Sequence, residues 1–181
     1  MNAIGFVELN SIAKGYETAD AALKTSDIRL LSCHAGCPGK FYFLFKGYTS
    51  AVDMALKTAI SVGGGSIVDN TIITNFHEDL IKAKSMTTDV KLEGALGVME
   101  FFSVTAAIYA ADSAAKAADV KLVEIRTGYG IGGKSYVTMT GSVSAANAAV
   151  SAGIYNDNSM GNVVYSTVIP NPDQSLMETL Y

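Results

Sequence analysis

The sequence predicts an α+β protein made of two tandem β-α-β-β-α-β units. Three observations carry this. A segment near the N-terminus recurs 92 residues later, both copies run through strand-like and helix-like patterning in the same order, and glycines punctuate the β-prone runs.

The repeat is read directly. Ala3-Ile4-Gly5-Phe6-Val7-Glu8 returns as Ala95-Leu96-Gly97-Val98-Met99-Glu100. Residues 3–31 against 95–123 share ten identities in 29 positions, among them Gly5, Glu8, Ser11, Asp20 and Lys24. Chance gives about two. A slip of two then pairs Gly36, Gly39, Lys40, Tyr42 and Gly47 with Gly130, Gly133, Lys134, Tyr136 and Gly141. A second slip pairs Thr71-Ile72-Ile73 with Thr167-Val168-Ile169. The join falls near Lys91 to Gly94, giving a first domain of residues 1–91 and a second of 92–181.

Within a copy, residues 3–9 form a β-prone run, and Ser11 is placed to cap a following helix. Ile12, Tyr16, Ala19 and Leu23 make an apolar stripe at helical spacing, matched by Val104, Ile108, Ala111 and Ala115. A strand is expected from Ile28 to Ser32, then a glycine-bearing turn, then a strand from Lys40 to Lys46. Thr49 or Ser50 is the expected cap of a second helix with Val52, Leu56 and Ile60 inward, and Ile67 to Ile73 is the closing strand. This order is the ferredoxin-like topology, with two helices on one face of a four-stranded sheet.

Composition excludes several function classes. The 181 residues are 49% hydrophobic and 17% charged, so the chain can bury a core. A net charge of -4 and no basic stretch argue against nucleic acid as a partner. Met1 to Leu9 has no basic region, so no signal peptide is expected. The uncharged run Ser135 to Asn156 is too rich in Ser, Thr, Asn and Gly for a membrane span. Two cysteines four positions apart make no disulfide framework. The expected setting is the cytoplasm.

Two motifs invite functional readings. Gly128-Tyr129-Gly130-Ile131-Gly132-Gly133-Lys134-Ser135 fits both a phosphate-loop and a dinucleotide-loop pattern, and both need a helix immediately afterwards. Tyr136-Val137-Thr138-Met139-Thr140 instead reads as a strand, so a glycine-rich hairpin is expected. Cys33-His34-Ala35-Gly36-Cys37 offers three ligands where a structural zinc site takes four. Cys33 is expected to be a buried, inert thiol. Cys37, between Gly36 and Pro38, is presented by the turn, and three chains meeting there would bring three thiolates together. Lys24 and Lys116 occupy matched positions four residues after Asp20 and Asp112, the spacing of an exposed helical ion pair.

The repeated Ala-Ile-Gly-Phe-Val-Glu segment, with Ala19-Asp20-Ala21-Ala22-Leu23-Lys24 and Ala111-Asp112-Ser113-Ala114-Ala115-Lys116, resembles the bacterial microcompartment shell domain. Two copies in one chain resemble the tandem-domain members, and the resemblance covers nearly the whole sequence. It implies a homotrimer of pseudo-hexagonal outline in a microcompartment shell, bordered by hexameric and pseudo-hexameric shell proteins, with no catalytic residues. It further implies a central pore lined by Gly36, Cys37, Pro38, Gly130, Ile131 and Gly132, with Cys37 from three chains holding a 4Fe-4S cluster that passes electrons across the shell to a redox enzyme. Lys24 and Lys116 match the family's tile-edge lysine. One departure is Ile169-Pro170-Asn171-Pro172-Asp173, where the family often carries Arg or His. Two alternatives stand beside this reading: a cluster-free tile whose pore passes small metabolites, and a ferredoxin-like small-molecule sensor.

Overall fold

The computed structural model describes residues 2–91 and 93–180. Met1, Leu92 and Tyr181, at the ends and the join of the expected domains, lie outside the described residues. The first copy runs β1 (Ala3–Leu9), α1 (Ile12–Thr25), β2 (Ile28–Gly36), β3 (Lys40–Gly47), α2 (Thr49–Gly63), β4 (Ile67–Thr74) and a short α3 (Asp79–Lys84). The second runs β5 (Ala95–Phe101), α4 (Val104–Ala117), β6 (Val120–Thr127), β7 (Ser135–Gly141), α5 (Val143–Ile154), β8 (Val163–Ile169) and α6 (Gln174–Met177). The sheets have the order β2-β3-β1-β4 and β6-β7-β5-β8. All their pairings are antiparallel, as the ferredoxin-like topology requires.

Local chemistry explains the helix starts. The Ser11 hydroxyl accepts from the Lys14 N–H at 3.3 Å, and Ser103 accepts from Ala106 at 3.2 Å. At α2 the structure differs from the expected Thr49 or Ser50 cap. Tyr48 holds the cap position and makes no side-chain cap bond, while its counterpart Ser142 accepts from Ala145 N–H at 3.1 Å. Thr49 instead donates to the Asn2 side chain.

The inner face of α1 also differs. Ile12, Tyr16 and Leu23 are exposed, and the buried face is Gly15, Thr18, Ala19 and Ala22. The reason is close approach: a Cβ on Gly15 would clash with the Phe41 side chain, 2.7 Å from its Cβ and closer still to the ring. The helix therefore rests on its smallest residues, with the Tyr16 ring 4.7 Å from that of Phe41. In α2, Val52 and Leu56 are inward as expected, but Ile60 is exposed and Ala55, Ala59 and Gly63 complete the buried face. Beneath the helices lie Val7, Leu9, Phe41, Phe43 and Phe45. Each such ring contributes about 1.5–3 kcal/mol on burial. In the second copy small side chains dominate, and α4 is buried almost all round through Ala106, Ala107, Ile108, Ala110 and Ala114.

β2 extends to Gly36, because Cys33 through Gly36 keep pairing with Phe43 through Lys40. The expected end at Ser32 was too early, and Cys33 and His34 lie in the strand rather than the turn.

Packing units do not coincide with the repeat. One compact unit comprises the residues up to Phe76 together with Gly128–Gly133, and the other holds 77–127 and the residues from Lys134 onward. The segment after β4 is tied to the second unit: His77 N–H donates to Asp112 at 2.6 Å, and the Thr88 hydroxyl donates to the Val123 carbonyl at 2.8 Å. None of the described helices is long and apolar enough to cross a membrane.

Matched glycines give a graded test of packing. A Cβ on Gly5 would lie 2.5 Å from Cε2 of the buried, rigid Phe45 ring, whereas one on Gly97 meets the flexible Met139 at 2.9 Å. Gly5→Ala should cost about 1–3 kcal/mol in urea unfolding and Gly97→Ala less than half of that. Equal losses would contradict the packing difference.

Candidate functional site

β2 and β3 are joined by Cys37-Pro38-Gly39, with Gly36 paired to Lys40 at the base. Gly39 has a positive φ of 82°, and its N–H donates to the Gly36 carbonyl at 2.9 Å, which closes the turn. The Cys37–Pro38 peptide is cis. Residues 128–133 pack against this turn. Cys37 N–H donates to the Gly128 carbonyl at 2.9 Å, and the Tyr42 hydroxyl donates to the Cys37 carbonyl at 3.3 Å. Both main-chain polar groups of Cys37 are thus engaged, and the residue is only partly buried.

At two of the loop's glycines nothing larger fits. A Cβ on Gly128 (φ +63°) would lie 2.6 Å from the Tyr42 hydroxyl, and one on Gly133 (φ +81°) would lie 2.9 Å from the Cys37 carbonyl oxygen. Gly130 and Gly132 also have positive φ but face open space. The structure therefore brings Gly36, Cys37 and Pro38 into one unit with Gly130, Ile131 and Gly132. The strand β7 follows the glycine-rich hairpin, so neither nucleotide-loop pattern has the helix it needs.

Tyr42 is fully buried. Its ring stacks with Phe6 at 6.2 Å and tilts against His34 at 5.8 Å. Burial, with the nearby Glu8 and Cys37 adding to it, pushes the Tyr42 phenol far above its usual range, so it stays a neutral donor. Cys33, expected to be buried, is only partly so, like Cys37. It packs beside the first core from the edge strand β2, and the burial it has pushes its thiol up as well. Among the described residues no three His, Cys, Asp or Glu side chains converge on one point, so Cys33, His34 and Cys37 form no metal site within a chain.

A charged pair flanks each turn. Lys40 bonds to Glu8, and Lys134 Nζ lies 2.9 Å from Glu100. Glu8 is wholly buried and its second oxygen lacks a hydrogen-bond partner, whereas the side chains of Glu100 and Lys134 are 34% and 43% exposed. The repeat comparison found all four residues without revealing the pairing; matched identities on neighbouring strands were the signal. Lys24 and Lys116 sit in the last turns of α1 and α4 and reach Asp20 and Asp112, each at 2.5 Å. Asp112, unlike Asp20, is buried, because the His77 segment covers it.

Two sheets of this topology in one chain, each with a glycine turn and a Glu–Lys pair, define a tandem-domain architecture with a known family. The BMC domain matches residues 3–76 and again 95–172, and the chain belongs to that family. It is 41% identical over 174 residues to the bacterial microcompartment shell protein PduT of Citrobacter freundii, spanning 96% of this chain and 95% of that protein. It is 27% identical over 191 residues to the carboxysome assembly protein CcmO of Synechococcus elongatus, spanning 98% of this chain and 68% of that one. A crystal structure of a microcompartment protein from Desulfitobacterium hafniense superposes with a TM-score of 0.90 at 43% identity, covering 98% of this chain and 99% of that one. The fused permuted hexameric shell protein of the RMM microcompartment shares the fold, with a TM-score of 0.63 at 24% identity over 83% of this chain and 80% of that one. The chain is a structural shell protein of a bacterial microcompartment, in the bacterial cytoplasm, and not an enzyme. The sensor alternative is thereby set aside.

Removing one partner of a buried pair costs far more than removing one of an exposed pair. Lys40→Met should lower stability by about 3 kcal/mol and Lys134→Met by less than about 1 kcal/mol. Chemical unfolding of the two variants checks this, and equal losses would mean that Glu8 is not held by Lys40.

Proposed function

We propose that the chain is a trimeric shell tile in which three Cys37 turns surround a central pore and hold a 4Fe-4S cluster, giving electrons a route across the shell. The observation that carries this reading is a partly buried Cys37 on a turn whose main chain is held on both sides, by Gly128 and Tyr42. Iron–sulfur clusters take thiolate ligands, and when bound the cluster supplies one-electron transfer. One chain offers one thiol at this turn, so the donor set fits only a shared site. Ile131, matched to Cys37 in the second copy, brings no donor atom, and a fourth coordination position falls to a small ligand or another protein.

The chain's own residues do the holding. Gly128 and Tyr42 fix the backbone of Cys37, so the thiol meets its symmetry mates without a further ordering cost. The Lys40 and Lys134 ammonium groups are neutralised by Glu8 and Glu100, leaving the turns without unpaired lysine charge. The open space around Gly130 and Gly132 favours a second reading, a cluster-free pore for small polar metabolites. Lys24 and Lys116 serve at the tile rim, their stems packing against neighbouring shell proteins.

Light scattering should give about 57 kDa, three copies of an 18.9 kDa chain, and a monomer at micromolar concentration would overturn the tile. Anaerobically purified protein should be brown and contain iron. Cys37→Ser should lose both and remain a trimer, while Cys33→Ser should keep both. An iron-free wild type would leave the metabolite pore in place of the cluster. Replacing Lys24 and Lys116 by Ala should leave trimers that no longer form sheets in electron micrographs, and unchanged sheets would remove the lysines from the rim.

A further inference from the structure

The second unit carries a cleft that the first copy has no residues to build. Arg126 on β6 faces Tyr136 on β7 in register, with Glu124 two residues back. Arg126 Nε and Nη2 lie 2.6 and 2.5 Å from Glu124 Oε1, and the Tyr136 hydroxyl donates to Oε2 at 2.9 Å. The matched residues of the first copy are Ser32, His34 and Tyr42. Over this cluster opens a cleft of about 260 Å³. Met86 and Thr88, after α3, form one wall, and Thr179 and Leu180, after α6, form another. Both walls come from segments that follow the last strand of a copy.

We propose that this cleft binds a small uncharged aliphatic molecule through a carbonyl or hydroxyl oxygen. A guanidinium has five N–H donors, and Glu124 engages one on Nε and one on Nη2. Arg126, 40% exposed at its side chain, also interacts with the Tyr136 hydroxyl and still keeps donors on its outer edge, and Glu124 holds it in place. The carboxylate is nine-tenths buried with both oxygens bonded, so it neutralises the arginine and repels any added anion. A neutral oxygen acceptor takes the donors without that repulsion. The Thr88 and Thr179 hydroxyls donate to the Val123 and Leu176 carbonyls, leaving lone pairs as acceptors. Met86, Val123 and Leu180 supply an apolar surface for a short carbon chain. The volume lies just below the roughly 300–1,000 Å³ of sites for drug-sized ligands, so the occupant is a small molecule. This proposal does not rest on the cluster at Cys37.

The test is a methyl-labelled NMR titration of the full chain, with butyramide as the neutral probe and butyrate as its anionic match. Butyramide should shift the Met86, Val123 and Leu180 methyls saturably, and butyrate should bind at least about tenfold more weakly. Arg126→Lys keeps the charge beside Glu124 but not the fork of donors, and should weaken butyramide about tenfold or more. Met86→Trp, at an exposed position that leaves the ion pair intact, should block the cleft and abolish the shifts. No saturable shift up to the solubility limit, tighter binding of butyrate, or shifts that survive both variants would each overturn the proposal.

Discussion

The contact on which the site depends is between two glycine-rich turns and is made largely by main chain. Cys37 gives its N–H to Gly128 and its carbonyl to Tyr42, and Gly133 lies against that same carbonyl. A side chain at Gly128 or Gly133 would clash with these groups, and both glycines have a backbone conformation that other residues rarely adopt. The fold serves this contact. Each hairpin is the β2–β3 or β6–β7 connection of a ferredoxin-like sheet, and the antiparallel register sets where each turn ends.

Duplication gave two copies of one architecture with different means of holding it. The first copy packs phenylalanines from one strand under small-residue helix faces, and buries its Glu8–Lys40 pair. The second fills the equivalent space with alanines and methionines, and leaves Glu100–Lys134 partly in solvent. The side chains with distinctive chemistry follow the same asymmetry. Both cysteines belong to the first copy, and the Glu124–Arg126–Tyr136 cluster to the second. In the tandem chain each feature therefore occurs once rather than twice.

Much of the fold was legible because the repeat checked itself. A strand or helix pattern seen twice at a fixed offset is stronger than either instance, which is why Ser11 and Ser103 are both recognisable as caps. The errors arose where side-chain size overrode hydrophobicity. Ile12, Tyr16 and Leu23 look like an inner face, but Gly15 and Ala19 let the helix approach Phe41 more closely. Ile60 was misplaced for a related reason, since Ala59 and Gly63 lie inward. Cys37 was legible from its position between glycine and proline. Its partner Gly128 was not, because a main-chain bond between segments 91 residues apart leaves no mark in residue type. Alternation alone puts Glu124 and Arg126 on one face of β6, but Tyr136 joins them only through the β6–β7 register, which residue type does not reveal.

The most direct measurement is a crystal structure of the anaerobically prepared assembly, with anomalous scattering recorded at the iron edge. The turn held by Gly128 and Tyr42 should place three Cys37 sulfurs around a threefold axis, with an anomalous iron peak on that axis at Fe–S bonding distance. A trimer whose Cys37 sulfurs point away from one another, with no iron between them, would contradict the account.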